Sequence, residues 1–300
     1  MNARRCIETL VSNRDLPDDA EVVSTNNKIV AISRREKLVA RIGSTANLNL
    51  RDDPHDLRYS HKVAWLAGDT APVVKPLSSE PIVSGDYVIS TYPLLNNEAN
   101  LDKSSVGEIY TMSRDFGDAL TAVETDMVLR RLDVGTYVRE RLDSMYDNPR
   151  YSQELVGYVS EEVDRMDSQS PFDQLMQNDT ALIHGDLKAD NIVLDHEGRL
   201  KAIDLDAVAV GPRLYDLASW RLRQELGDDA PVGEVVEVGR KTNTWNEDAY
   251  RALIGWKAIS SMSFTLKYEI PEVYEKKVKD IAKSAAILGG LMPVPFVENS

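Results

Sequence analysis

An α+β fold, with a small sheet-rich part ahead of a larger helical part, is what the sequence predicts. Two patterns and one interruption lead there. In residues 1–92, the β-rich runs "KIVAIS", "KLVARIG" and "DYVISTYPLL" surround one helical stretch, "HDLRYSHKVAWLAG". Beyond Tyr92, apolar residues recur at helix spacing: Val106, Ile109, Tyr110, Phe116 and Leu120, then Leu155, Val159, Val163 and Met166. That helical part is interrupted by "ALIH", "NIVLD" and "LKAIDLD". The division predicts two lobes, residues 1–92 and 93–300.

Taken in order, "CIETLVSN" reads as a short helix. The first two β runs are joined by the polar "RRE", which makes a hairpin. After the loop "STANLNLRDDP", a helix presents Leu57, Val63 or Ala64, and Leu66 or Ala67, and is closed by Gly68. "APVVKPL" and "DYVISTYPLL" follow as extended segments, the second alternating well enough for a sheet. In the later part, two β runs flank "HEG", so residues 192–205 form a hairpin. Two amphipathic helices, roughly 245–268 and 271–289, end the chain.

The 300 residues can bury a core without covalent staples. Apolar residues make up 42% and charged ones 28%, the balance of a soluble domain. One cysteine, Cys6, excludes an internal disulfide, and four scattered histidines offer no zinc cluster. Neither a signal peptide nor a membrane span is legible, which implies a cytoplasmic protein with no membrane partner. The net charge is −14, and residues 93–300 carry all of it. That surplus excludes nucleic-acid phosphate as a partner and suits a cationic small molecule, although solubility alone accounts for it equally well.

The densest chemistry lies in "LIHGDLKADNIVLDHEGRLKAIDLD", residues 182–206. A hairpin returns its strand ends to one place. Asn191, at the start of the first strand, and Asp204, at the end of the second, then face one point. A carboxylate and an amide oxygen are hard donors, half of a Mg²⁺ site that phosphate oxygens complete. Asp186, in the loop before the hairpin, would accept the proton of an attacking hydroxyl. Phosphoryl transfer needs these parts. As turn formers and a strand cap, the same residues would not require these spacings together.

"HGDLKADN" followed by "IDLD" resembles the catalytic loop and metal-binding Asp of protein kinases. Gly after His184, and "GPRLYDLASW" at 211–220, fit the aminoglycoside phosphotransferase branch of that superfamily better. The resemblance implies a protein-kinase-like two-lobe fold that binds ATP, or GTP in its place, with Mg²⁺. It implies Asp186 as catalytic base, Asn191 and Asp204 as metal ligands, His184 as a brace for the loop and Lys188 beside the transferred phosphoryl group. Asp216 would be structural. The nucleotide would lie under the first hairpin, with Ser24, Thr25 and Asn26 covering phosphates in place of a glycine loop and Arg41 where kinases put a Lys. Backbone groups around Ser90, Thr91 and Tyr92 would meet the base.

One departure is clear. The helix "HKVAWL" has Tyr59 or His61 where a Glu partner for the basic residue is expected, so that either Asp56 or Asp86 holds Arg41 or the pairing is absent. The acceptor would meet Asp186 in the acidic lobe, with Asp206, on a strand face shared with Asp204, supporting the metal or meeting an acceptor ammonium, with Trp256 as a further contact and Trp245 and Tyr250 nearby. A cationic antibiotic-like acceptor, a metabolic acceptor (a sugar, amino sugar or amino alcohol), and a nucleotide-binding pseudokinase all remain open at this point. No activation-loop sequence follows Asp204, which disfavours a peptide substrate.

Overall fold

The computed structural model describes residues 3–23, 29–44, 57–95, 106–169, 171–225, 235–242 and 245–268. In the first third, α1 (Ala3–Ser12), β1 (Glu21–Val22), β2 (Ile29–Ser33), β3 (Leu38–Ser44), α2 (Leu57–Ala67), β4 (Ile82–Ser84) and β5 (Tyr87–Pro93) follow in order. The five strands pair antiparallel in the order β1-β2-β3-β5-β4.

Strand alternation decides what each face of the sheet does. Ile29 and Ala31 of β2 lie opposite Ile42 and Ala40 of β3, and Ile89 of β5 lies opposite Ile42. These residues are buried with Ile7 and Leu10 of α1 and with Leu16. Burying each of the isoleucine and leucine side chains among them stabilises the fold by about 1.5–3 kcal/mol. The alternate residues, Val30 paired with Arg41 and Val39 paired with Tyr92, occupy the other face. Helix α2 buries Leu57, Val63, Ala64 and Ala67, as its spacing predicts, together with Ser60 and His61.

One expected strand differs, and one strand was not expected. "APVVKPL" forms only a single parallel bridge, Val73 to Ala202, because its prolines remove ladder donors. The edge strand β4, from the short "IVS", was not legible.

The later chain adds α3 (Val106–Asp118), α4 (Leu120–Glu124), α5 (Val134–Tyr146), α6 (Gln153–Gln169), α7 (Phe172–Asn178), β6 (Thr180–Ile183), β7 (Ile192–Leu194), β8 (Leu200–Ala202), β9 (Ala209–Pro212), α8 (Tyr215–Glu225), α9 (Val235–Arg240) and α10 (Glu247–Tyr268). The 245–268 helix exists as α10, but it is not amphipathic. Residues 252–256, 258, 259 and 262 are all buried, which marks a central helix rather than a surface one. The helix expected at 271–289 lies outside the described residues. No helix among the described residues is long and apolar enough to cross a membrane.

By contact the chain forms two compact units. One comprises residues 1–100, 114–129 and 184–209; the other comprises 101–113, 130–183 and 210–300. The division by sequence order at residue 92 therefore does not coincide with the division by contact. Residues 184–209 group with the sheet because β8 is tied to the segment after α2. Ala202 N donates to Pro72 O at 2.7 Å, and Val74 N donates to Ala202 O at 3.0 Å.

Candidate active site

The β7–β8 hairpin is built as its sequence implies. Ile192 pairs with Ala202 and Leu194 with Leu200. At the turn, Asp195 Oδ1 accepts from Glu197 N and Arg199 N at 2.9 Å each, and Gly198 takes φ +76°. At the open end, Ile203 N donates to Asn191 O at 2.9 Å. Asn191 and Asp204 are thus brought to the same end. The local conformations differ from plain strand ends. Asn191 closes a 3₁₀ turn, residues 189–191, and Asp204 stands past β8 in the left-handed region, φ 65° and ψ 59°. Asp tolerates that region better than most residues, and such strained positions cluster at functional sites.

His184 is buried, and its Nε2–H donates to Ile203 O at 2.8 Å. A carbonyl only accepts, so Nδ1 is left to accept from Asp186 N at 3.3 Å. The ring therefore fastens the Asp186 loop to the residue before Asp204. Gly185 is required between them. It has φ +81°, and a Cβ there would lie 2.3 Å from Ala207 O. Gly185→Ala is expected to lower stability by at least ~1–2 kcal/mol from the backbone conformation alone, with the backbone overlap adding to it. Thermal denaturation checks this; an unchanged midpoint would contradict the loop geometry.

Asn191 Nδ2 donates to Asp186 O at 2.8 Å and lies 3.4 Å from Asp186 Oδ2. With its nitrogen so engaged, the amide leaves Oδ1 as the atom for a cation. Lys188 Nζ lies 3.3 Å from Asp186 Oδ2. The Asp186 side chain is 41% exposed, open enough for a bound hydroxyl to reach.

Arg41 settles the question of its partner. Its Nη2 donates to Asp206 Oδ1 and Oδ2 at 2.8 Å each and to Asp204 Oδ1 at 3.0 Å. Burial works against its charge, but the carboxylates of Asp206 and Asp204 outweigh that and raise its pKa. Asp56 lies outside the described residues, and it is Asp206 and Asp204, rather than Asp86, that hold the guanidinium. Asp206 was expected on the face of a strand shared with Asp204. Instead, residues 205–207 form a 3₁₀ turn, and the two acids converge through that turn.

A cavity of about 640 Å³ opens here, within the size range of small-molecule sites. Arg41, Tyr92, Lys188, Asn191 and Asp204 line it, with apolar walls from Val30, Val39, Ala64 and Ile203. Leu94 and Leu95 extend the wall beyond Tyr92. Those apolar positions were missed because a flat hydrophobic slot has no motif. Tyr92 is held largely by burial, which raises its pKa against the lowering influence of Arg41 and Ser90.

Ser90 and Thr91 are both engaged by neighbouring residues. Ser90 is fully buried and lies 2.6 Å from His61 Nδ1. Thr91 is paired with Ala40, on the α1 face of the sheet, and its carbonyl accepts from Leu77 N at 2.8 Å. His61 is a packing residue, its other nitrogen donating to Ser78 O at 3.1 Å, and burial lowers its pKa. Ser24, Thr25 and Asn26 lie outside the described residues. Trp256 is not a lining residue. It is 0% exposed and packs edge-on to Phe172 with centroids 5.7 Å apart, which leaves no face for an acceptor. Asp216 is buried in the first turn of α8, as a structural acid would be.

The donor set fits magnesium. Asn191 Oδ1 and the Asp204 carboxylate are hard oxygens on adjoining turns, and phosphate oxygens and water would complete the shell. Among the described residues, no group of three or more His, Cys, Asp or Glu side chains forms a metal cluster.

The sequence model of the phosphotransferase enzyme family matches residues 25–253. No curated protein matches the sequence. Among solved structures, a choline/ethanolamine kinase family protein from Mesorhizobium loti is similar at a TM-score of 0.66 and 13% identity, covering 98% of this chain and 96% of that one. An aminoglycoside phosphotransferase from Streptomyces rimosus is similar at a TM-score of 0.60 and 17% identity, covering 87% of this chain and 99% of that one. A thermostable mutant aminoglycoside phosphotransferase, in ternary complex with ADP and hygromycin B, is similar at 0.62 and 12% identity, covering 95% and 98%. These likenesses establish the kinase-like fold. With the family match spanning most of the sequence, the chain belongs to the phosphotransferase enzyme family.

Proposed function

We propose that this protein transfers the γ-phosphoryl group of ATP, or of GTP in its place, to a hydroxyl of a small cationic molecule. The acceptor class is an aminoglycoside or basic peptide antibiotic, and the physiological consequence is antibiotic resistance in the cytoplasm. The reading rests on one observation above the others: Arg41, Lys188, Asn191 and Asp204 line a single cavity, with Asp186 bonded to two of them. Residues 1–92 would supply the base slot and the phosphate-binding Arg41. Residues 93–300 would supply the transfer machinery and the acceptor site.

The apolar walls suit the flat face of a purine, and Tyr92 closes one end. Arg41 would neutralise phosphate oxygens. Asn191 and Asp204 would hold Mg²⁺, which when bound would supply positive charge to offset that of the phosphates. Asp186 would align the acceptor hydroxyl and take its proton, and Lys188 would leave Asp186 for the migrating phosphoryl group. The acceptor argument is electrostatic: residues 93–300 carry the whole −14.

A second reading is a metabolic kinase for an amino alcohol, sugar or amino sugar. The likeness to a choline/ethanolamine kinase family protein favours the amino alcohol. Nucleotide consumption by the full chain, measured against aminoglycosides, tuberactinomycins, choline, ethanolamine and neutral sugars, separates these. Turnover with the polyamines alone is expected. Turnover confined to choline or ethanolamine selects the second reading, and turnover with neutral sugars alone overturns the cationic-acceptor argument.

A further inference from the structure

Asp206 has no part in the transfer chemistry above, yet it is a buried carboxylate aimed at the nucleotide-binding cation. Both of its oxygens accept from Arg41 Nη2 at 2.8 Å, whereas Asp204 reaches the same nitrogen through one oxygen at 3.0 Å. The side chain of Arg41 is 15% exposed and that of Asp206 10%, so neither is screened as a surface pair would be. Helix α2 supplies no alternative carboxylate. Its sequence "LRYSHKVAWLA" has Arg58 and Lys62 as its charged residues. His61 is bound to Ser90 and Ser78, and Tyr59 donates to Val208 O at 3.3 Å.

We propose that Asp206 is a positioning residue that holds Arg41 in place, so that Asp204 can leave the guanidinium and turn to a divalent cation when nucleotide binds. The inference rests on the phosphotransferase reading and assigns to the turn after β8 the work that a carboxylate on α2 would otherwise do.

The physical argument concerns what remains when Asp204 departs. If Asp204 were the sole partner of Arg41, its release would strand a buried guanidinium, and that penalty would oppose metal binding. With Asp206 already taking two hydrogen bonds, Arg41 keeps a full counter-charge and its position. Asp204 caps one short turn, residues 205–207, and Asp206 lies within it, so the metal ligand and the anchor of the phosphate-binding cation stay close while the Asp204 side chain turns. Loss of the Asp206 charge would drive Arg41 onto Asp204 and make the arginine a competitor of the metal.

The test uses the full chain and two probes, ADP and MgCl₂. Calorimetric titration of ADP at graded MgCl₂ gives the magnesium concentration at which ADP affinity is half-maximal. Asp206→Asn is expected to raise that concentration roughly tenfold, the scale of coupling between contacting charged groups. Asp206→Glu should recover most of the loss. Adding Arg41→Gln to Asp206→Asn should bring the magnesium requirement back to that of Arg41→Gln alone, because the competitor is gone. In nucleotide-free protein, the thermal midpoints of the same variants should also be non-additive.

An unshifted magnesium requirement in Asp206→Asn overturns the proposal. So does a double variant whose requirement is the product of the two single effects, since Asp206 would then act independently of Arg41. If Asp206→Asn does not fold, Asp206→Glu carries the test through a smaller shift that must vanish with Arg41→Gln. Failure of the unsubstituted chain to bind ADP at any magnesium concentration would instead sink the phosphotransferase reading itself.

Discussion

Replacing Asp186 by Asn is expected to lower kcat by roughly 10²- to 10⁴-fold while Mg·ATP still binds. The substitution is nearly isosteric, and the contacts that place the residue survive it. Its backbone N–H still donates to His184 Nδ1, and its carbonyl still accepts from Asn191 Nδ2. What disappears is the charge that pairs with Lys188 at 3.3 Å and the ability to accept a proton from a hydroxyl. The cavity that would hold nucleotide is lined by Lys188 and Asn191, not by Asp186, so the Kd for Mg·ATP should change little. Steady-state turnover alongside calorimetric ATP binding checks both halves. An Asp186→Asn enzyme with near-normal kcat would remove Asp186 from the base role. Intact binding with lost turnover would exclude a pseudokinase, in which Asp186 would have no turnover to lose.

The convergence of the residues proposed for transfer was legible in the sequence because it is local. His184, Asp186, Lys188, Asn191 and Asp204 fall within one short segment, and a hairpin with a polar turn has a strong pattern of its own. Alternation also placed β2, β3 and β5. The partner of Arg41 was not legible. It arrives from residues 204 and 206, more than 160 positions away, and no periodicity links those positions. Reading Asp206 as a strand residue failed for a related reason, since a single left-handed residue at Asp204 turns the chain into a 3₁₀ turn. Trp256 was misread because a sequence shows that an aromatic residue recurs on a helix but not which neighbours enclose it. α10 is covered nearly all round in its central stretch, and no amphipathic pattern survives there to separate core from pocket. Ser90 and Thr91 illustrate register: moving one residue along β5 exchanges the pocket face for the α1 face.

The largest loss is expected at Asp204, and two substitutions there separate chemistry from conformation. Asp204→Asn should reduce Mg²⁺-dependent turnover by roughly 10³-fold or more, because it removes the only carboxylate of the proposed metal pair. Asn accepts the left-handed backbone nearly as well as Asp does, and Asp206 continues to hold Arg41, so folding should survive. Asp204→Ala should lose as much activity and also fall further in thermal midpoint, since Ala at φ 65° carries a backbone cost of about 1–2 kcal/mol. Turnover, magnesium titration and denaturation of the two variants make the comparison. Equal inactivity with unequal midpoints is the expected pattern. If Asp204→Asn kept its magnesium dependence and most of its turnover, the divalent ion would have to be held by other groups, and the pairing of Asn191 with Asp204 would be a feature of the hairpin rather than of the reaction.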